Sequence, residues 1–228
     1  MTGSSERPKH RFELVIFDCD GVLIDSEVIS THTLLDTLVA SGLAVDIGYV
    51  RNTYLGRSIS VVKRDYFRLT GRDLADTFEA DFLARLFAAY RAELSAMAGV
   101  KELIASLTSA YCMATSSSIE RATLSLELTG LMPFFEGRIF CASMVARGKP
   151  APDLFLHAAG VFGADPADCL VIEDSEVGVL AAQNAGMSVW RFVGGSHFRD
   201  LGQAPMGVES GVPVFHSMDA MAAKLLSD

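Results

Sequence analysis

The stretch Leu14-Val15-Ile16-Phe17-Asp18-Cys19-Asp20-Gly21-Val22-Leu23-Ile24-Asp25-Ser26 decides how this chain is read. Four apolar residues in a row, without alternation, describe a strand buried on both faces, as in a parallel sheet with helices above and below. Two carboxylates, Asp18 and Asp20, stand where that strand stops. Ligands of such sheets bind beyond the carboxyl ends of the strands, so the acidic pair is already where chemistry is done. Gly21 then lets the backbone turn away sharply. Alone, an Asp-x-Asp is also consistent with a polar strand end entering a loop, and the rest of the chain must decide.

Outward from this strand the pattern splits. From about residue 99 short apolar runs alternate with helical ones. Strands are expected at Tyr111–Thr115, Arg138–Cys141, Cys169–Ile172, Met187–Phe192 and Val212–Phe215. Helices are expected at Ser118–Thr129, Asp153–Phe162, Val177–Ala185 and Met218–Leu226. That order is the mark of a doubly wound α/β parallel sheet. The segment 27–96 is helical instead, broken at Ser41-Gly42, Leu55-Gly56 and Thr70-Gly71. In its last helix Phe78, Phe82, Leu86 and Tyr90 recur every four residues, with Leu83, Phe87 and Leu94 on the same side, and this stripe reads as core packing. The expected organisation is an α/β core from 1–26 and 97–228, with a helical domain, 27–96, inserted after the first strand.

The bulk properties narrow the function. Half of the 228 residues are hydrophobic, enough for a large core. No apolar run approaches the ~20 residues that span a bilayer, so no membrane association is expected. Met1–His10 is polar and reads as a loose tail without the apolar centre of a signal peptide. Cys19, Cys112, Cys141 and Cys169 are far apart and read as buried, reduced thiols of a cytoplasmic protein. A net charge of −9 argues against a nucleic-acid partner, yet leaves room for a small phosphorylated one, because a bound cation can invert the sign of an acidic site.

Three further motifs lie at predicted strand ends. Ala114-Thr115-Ser116-Ser117-Ser118 closes a strand and opens a helix, which makes either an anion site or a simple N-cap. Gly148-Lys149-Pro150-Ala151-Pro152-Asp153 holds a lysine in a proline-fixed loop, either a fixed positive charge or a solvated surface residue. Val171-Ile172-Glu173-Asp174-Ser175 places two acids after a buried strand, costly unless paired or bound to a metal. One of these carboxylates with the first pair would form an oxygen-only shell suited to Mg²⁺.

The phrases FDCDGVLIDSE, ATSSS, GKPAPDLF and VIEDSEVGV, in this order and with a helical insertion after the first, resemble the haloacid dehalogenase superfamily. The resemblance covers nearly the whole chain. It is to the branch with a helical cap, similar to sugar-phosphate phosphatases and β-phosphoglucomutases. It implies that Asp18 is the nucleophile and forms an aspartyl-phosphate, and that Asp20 is first general acid and then general base. Ser116 and Lys149 would hold the phosphoryl oxygens, with Ser117 beside them. Asp18, the Asp20 carbonyl, Asp174 and Glu173 would surround Mg²⁺. The cap loop Gly56-Arg57-Ser58 would contact the substrate, with Lys63 and Arg64 either adding charge or forming a solvated helix face.

The dehalogenases of the superfamily lack an acid two residues after the nucleophile, so Asp20 argues against that chemistry. The mutases place a His twelve residues after the nucleophile, where this chain has Ser30, and an Arg three residues after the cap glycine, where it has Ile59. Arg57 could replace that charge or lie on the surface. Hydrolysis is the expected reaction, a phosphosugar mutase the alternative, and a non-catalytic phosphosugar-binding protein a second alternative. Similarity to 6-phosphogluconate and 2-deoxyglucose-6-phosphate phosphatases implies a hexose-type phosphomonoester, and a monomer is expected because a cap already covers the site.

Overall fold

The computed structural model describes residues 12–201 and 211–227. The expected tail, Met1–His10, lies outside these residues. The first strand, β1 (Leu14–Phe17), has all four residues buried. Four helices follow it: α1 (Glu27–Ala40), α2 (Ile47–Tyr54), α3 (Ile59–Thr70) and α4 (Phe78–Glu93). The alternating half then begins with α5 (Val100–Ser106), β2 (Ala110–Thr115), α6 (Ile119–Leu128), α7 (Met132–Phe135) and β3 (Ile139–Cys141). It continues through α8 (Asp153–Phe162), β4 (Cys169–Glu173), α9 (Glu176–Asn184), β5 (Ser188–Phe192) and α10 (Ser196–Asp200). The last elements are β6 (Val214–Phe215) and α11 (Met218–Ser227).

Among the described residues the strands form one sheet in the order β3-β2-β1-β4-β5-β6, every pair parallel. β1 is central: Phe17 stands opposite Met113 on one side and Ile172 on the other. Because side chains alternate along a strand, the two faces feed two cores. Val15 and Phe17 join Met113, Leu170, Ile172 and Trp190 in one, while Leu14 and Ile16 join Cys112, Ala114, Val171 and Val189 in the other. Burial on both faces is why β1 is an unbroken apolar run. Each fully buried Leu, Ile or Phe side chain contributes ~1.5–3 kcal/mol. The chain moves from β1 to β2 and β3 on one side, then returns to β4 on the other. That reversal leaves a crevice at the carboxyl end of β1.

The three expected breaks between helices all appear: α1 ends at Ala40, α2 at Tyr54 and α3 at Thr70. The last of these closes on Gly71 in the left-handed region. Chain exit and return are tied together, with Met97 N donating to Leu23 O and Asp25 N to Ser95 O. The helices bury an apolar cluster of their own, including Leu38, Val50, Tyr54, Val62 and Phe78. Two expectations are adjusted. β6 covers only two of the four predicted residues, since Pro213 offers its carbonyl to Arg191 N but has no N–H for the ladder. The α4 stripe is core at Phe78, Leu86 and Tyr90, while Phe82, which also packs against the helices' apolar cluster, and Leu83 line a cavity. Periodicity reports which face of a helix turns inward, not whether that interior is filled.

Candidate active site

The four motifs meet at the carboxyl end of the sheet. Asp18 is the first residue after β1 and its N–H donates to Ile172 O at 2.9 Å. Lys149 arrives from the loop between β3 and α8, where the Lys149–Pro150 peptide is cis. Its Nζ donates to Asp18 Oδ1 and to Glu173 Oε1, both at 2.6 Å, and to Ala114 O at 3.1 Å. Only 2% of the lysine side chain is exposed, so the fixed-charge reading of the proline-flanked loop holds. Burial alone would lower the ammonium pKa, but the carboxylates of Asp18 and Glu173 outweigh it and raise it. Burial pushes the Asp18 carboxyl well above the usual range; Lys149 opposes this, while Glu173 and Asp174 add to it.

Glu173 is 1% exposed. Beyond Lys149, it accepts from Ser175 N at 3.0 Å and Ser175 Oγ at 2.9 Å. Ser175 Oγ also accepts from Gly178 N and so caps α9. Asp174 is buried beside it and its pKa is likewise raised, first by burial and then by Glu173. Asp18, Glu173 and Asp174 each offer a carboxylate oxygen within 4.8 Å of the others, a donor set that could hold a metal ion and suits a hard cation. Gly21, at φ +77°, gives the Asp174 carboxylate its room: a Cβ on it would lie 2.1 Å from Asp174 Oδ2. With both Glu173 oxygens partnered, Asp18 and Asp174 hold the more available ones.

Asp20 sits in a network that the sequence reading missed. Ser26 Oγ donates to its Oδ1 at 2.6 Å and Ser117 Oγ to its Oδ2 at 2.7 Å. Arg121 Nη2 donates to Oδ1 at 2.7 Å, to Tyr90 Oη at 2.7 Å and to Ser30 Oγ at 3.0 Å. Burial would raise the Asp20 pKa, but the Arg121 guanidinium and the two serine hydroxyls outweigh it and hold the carboxyl below its usual range. Ser118 is indeed the N-cap of α6, accepting from Arg121 N. The motif Ala114–Ser118 stops short of Arg121, so its side chain was not among the candidates. The one available signal was its spacing, which puts it on the first turn of a helix starting at the strand end.

A cavity of about 310 Å³ lies between this cluster and the helical insertion. Ser116, Ser117 and Lys149 line it from the sheet, and Gly56, Arg57 and Ser58 from the insertion. Ser116 is exposed, whereas the Ser117 hydroxyl is occupied by Asp20. Glu27 lines it too; burial, with Asp20 and Asp174 nearby, pushes its carboxyl up to about 8. Lys63 lies outside the cavity, exposed and paired with Glu79 at 3.0 Å, and Arg64 is exposed. All four cysteines are free and buried. No helix among the described residues is long and apolar enough to cross a membrane.

A doubly wound sheet with an aspartate at its central strand, a buried lysine upon it and an acidic pair on the neighbouring strand defines a class of hydrolytic enzyme built on carboxylates. A family model described as haloacid dehalogenase-like hydrolase matches residues 12–186, and the chain belongs to that family. The chain is 28% identical over 195 residues to the 6-phosphogluconate phosphatase of Escherichia coli K12, covering 84% of this chain and 87% of that protein. It is 33% identical over 186 residues to the bifunctional riboflavin kinase/FMN phosphatase of Arabidopsis thaliana, covering 77% of this chain and 47% of that longer one. Among solved structures, a haloacid dehalogenase-like protein from Agrobacterium tumefaciens superposes with a TM-score of 0.77 at 29% identity, covering 95% and 98% of the two chains. A family hydrolase from Deinococcus radiodurans, solved with bound phosphate and sodium, superposes with a TM-score of 0.75 at 28% identity, covering 96% and 97%.

Proposed function

We propose that this haloacid dehalogenase-family phosphatase uses Mg²⁺ to hydrolyse a small phosphorylated sugar or sugar acid through an aspartyl-phosphate on Asp18. The observation that carries the reading is the convergence of Asp18, Asp20, Lys149 and Asp174 at one end of a cavity large enough for a small metabolite. The phosphatase relatives support the reaction, and the 6-phosphogluconate phosphatase supports the substrate class.

Lys149 holds Asp18 Oδ1, which leaves Oδ2 to attack phosphorus. The bond from phosphorus to the ester oxygen breaks, and Asp20, ionised at rest by Arg121 and the two serines, relays to that oxygen a proton taken up from solvent as the substrate binds. Asp20 then takes a proton from water, the water oxygen bonds to phosphorus, and the Asp18–phosphorus bond breaks to release inorganic phosphate. Positioned proton transfer of this kind contributes ~10²–10⁴-fold. Asp18 and Asp174 would hold Mg²⁺, which supplies charge neutralisation of the phosphoryl oxygens when bound. The helical insertion acts as a cap that closes the cavity against bulk water.

Ser30 and Ile59 favour hydrolysis over the mutase alternative. The Ser30 hydroxyl is engaged with Arg121 and Tyr90, and Ile59 packs against the apolar cluster of the insertion. Neither supplies the imidazole or guanidinium associated with mutases. Release of inorganic phosphate from a panel of phosphorylated sugars and sugar acids, with Mg²⁺ and with EDTA, tests the reading. Mg²⁺-dependent release from a few members is expected. Conversion of β-glucose 1-phosphate to glucose 6-phosphate without release would identify a mutase, and no reaction with any compound would leave a binding protein.

Arg121→Met tests the role of the Asp20 network. Without the guanidinium the Asp20 carboxyl rises, so the acidic limb of the pH–rate profile should move to higher pH, because the base works only above its pKa. A fall of roughly 10- to 10²-fold in kcat at neutral pH should accompany it. An unmoved limb would remove Arg121 from the mechanism.

A further inference from the structure

His197 is a buried side chain that the proposed reaction does not use. It lies on the short helix α10 and is 1% exposed. Its Nε2 is 3.2 Å from Asp174 Oδ2, and its Nδ1 has no partner among the described residues. A ring that donates through Nε2 and is bare at Nδ1 fits both observations.

The surroundings are shaped around this ring. A Cβ on Gly195 would lie 2.6 Å from its Cε1, and one on Gly21 would lie 3.2 Å from the same atom. The start of α10 is pinned to the catalytic loop, where Asp25 Oδ1 accepts from Ser196 N at 3.0 Å and Ser196 Oγ at 2.8 Å. The Asp174 backbone is held separately, its carbonyl accepting from Arg191 Nε at 3.1 Å. An aliphatic side chain would fill the same space without burying an unpaired nitrogen, which is unfavourable. The imidazole therefore offers what packing alone does not, a donor aimed at one oxygen of Asp174.

We infer that His197 is a positioning residue for Asp174: Nε2–H holds Oδ2 and so leaves the other carboxylate oxygen to meet a cation in the cavity. The inference rests on the Mg²⁺ reading above and adds to it a residue outside the four motifs. Such outer partners fix the orientation of a ligating carboxylate, and their loss weakens metal affinity.

Calorimetric titration of Mg²⁺ into the wild-type chain, His197→Gln and His197→Leu tests this, with melting temperatures taken in EDTA. The Gln amide nitrogen can stand near Nε2 and donate to Oδ2; Leu cannot. Leu should weaken Mg²⁺ binding by roughly 10- to 100-fold, and Gln should recover most of it. Equal affinity of the Leu variant and the wild type would overturn the inference. So would equal weakening in both variants with a lower melting temperature in EDTA, which would mark a packing role. Wild-type protein that binds no Mg²⁺ would overturn the metal reading itself, and this inference with it.

Discussion

Asp18→Asn should lower kcat by on the order of 10⁴-fold or more while the chain folds as before. The amide cannot attack phosphorus, so phosphate release should fall to the background rate in the same assay that detects the wild type. Folding should survive because the Asn side-chain oxygen can still accept from Lys149 Nζ, which lies 2.6 Å from Asp18 Oδ1. Without metal the variant should melt at or above the wild-type temperature. The Asp18 pKa is raised on folding, so the folded chain holds that proton more tightly than the unfolded one. Stability of the metal-free wild type should therefore fall as pH rises from about 4 through the folded value, and Asn should remove that part of the loss. Thermal melts in EDTA across pH, beside the kinetic assay, check both halves. A variant that retained substantial turnover would exclude Asp18 as nucleophile.

Lys149→Met should destabilise the fold by ~3–5 kcal/mol at neutral pH, the range for removing one partner of a buried ion pair. The lysine lies between two carboxylates at 2.6 Å, and Glu173 is 1% exposed, so its loss leaves negative charge without compensation or water. Asp174 is buried beside them and adds to the repulsion. The deficit should shrink as pH is lowered, because protonated carboxyls no longer need the ammonium. Denaturant unfolding at pH 7 and pH 5 measures this directly. The same deficit at both pH values would mean that the carboxylates are not what Lys149 chiefly serves, and would point instead to its ammonium over the Phe155 ring, 4.8 Å from the centroid. Activity should be lost with the substitution, since the charge beside the attacking carboxylate is gone.

Much of the sheet could be read from the chain because its signals are local. Leu14–Phe17 is apolar without interruption since both faces are covered, and that fact needs no knowledge of what covers them. The glycines at 42, 56 and 71 marked the ends of α1, α2 and α3 because positive φ is a property of the residue itself. Lys149 was ambiguous in sequence, and only the placement of its loop against Asp18 and Glu173 showed it to be buried. Arg121 was overlooked for a related reason. Its partners Asp20, Ser30 and Tyr90 come from three separate segments, and no local pattern announces a contact across 101, 91 or 31 residues.

Residue types and spacing along the chain were enough to establish the parallel α/β core, the helical insertion, the acids at strand ends and the family resemblance. Each follows from short-range chemistry: strand and helix periodicity, glycine conformations, and carboxylates where a buried run stops. The tertiary structure alone decided that Ser117 serves Asp20, that Glu173 is spent on Lys149 and Ser175, and that Phe82 faces a cavity. It also set His197 against Asp174. These are pairings between distant segments, governed by the geometry of packing and by the need of each buried polar group for a partner, and neither is written in local order.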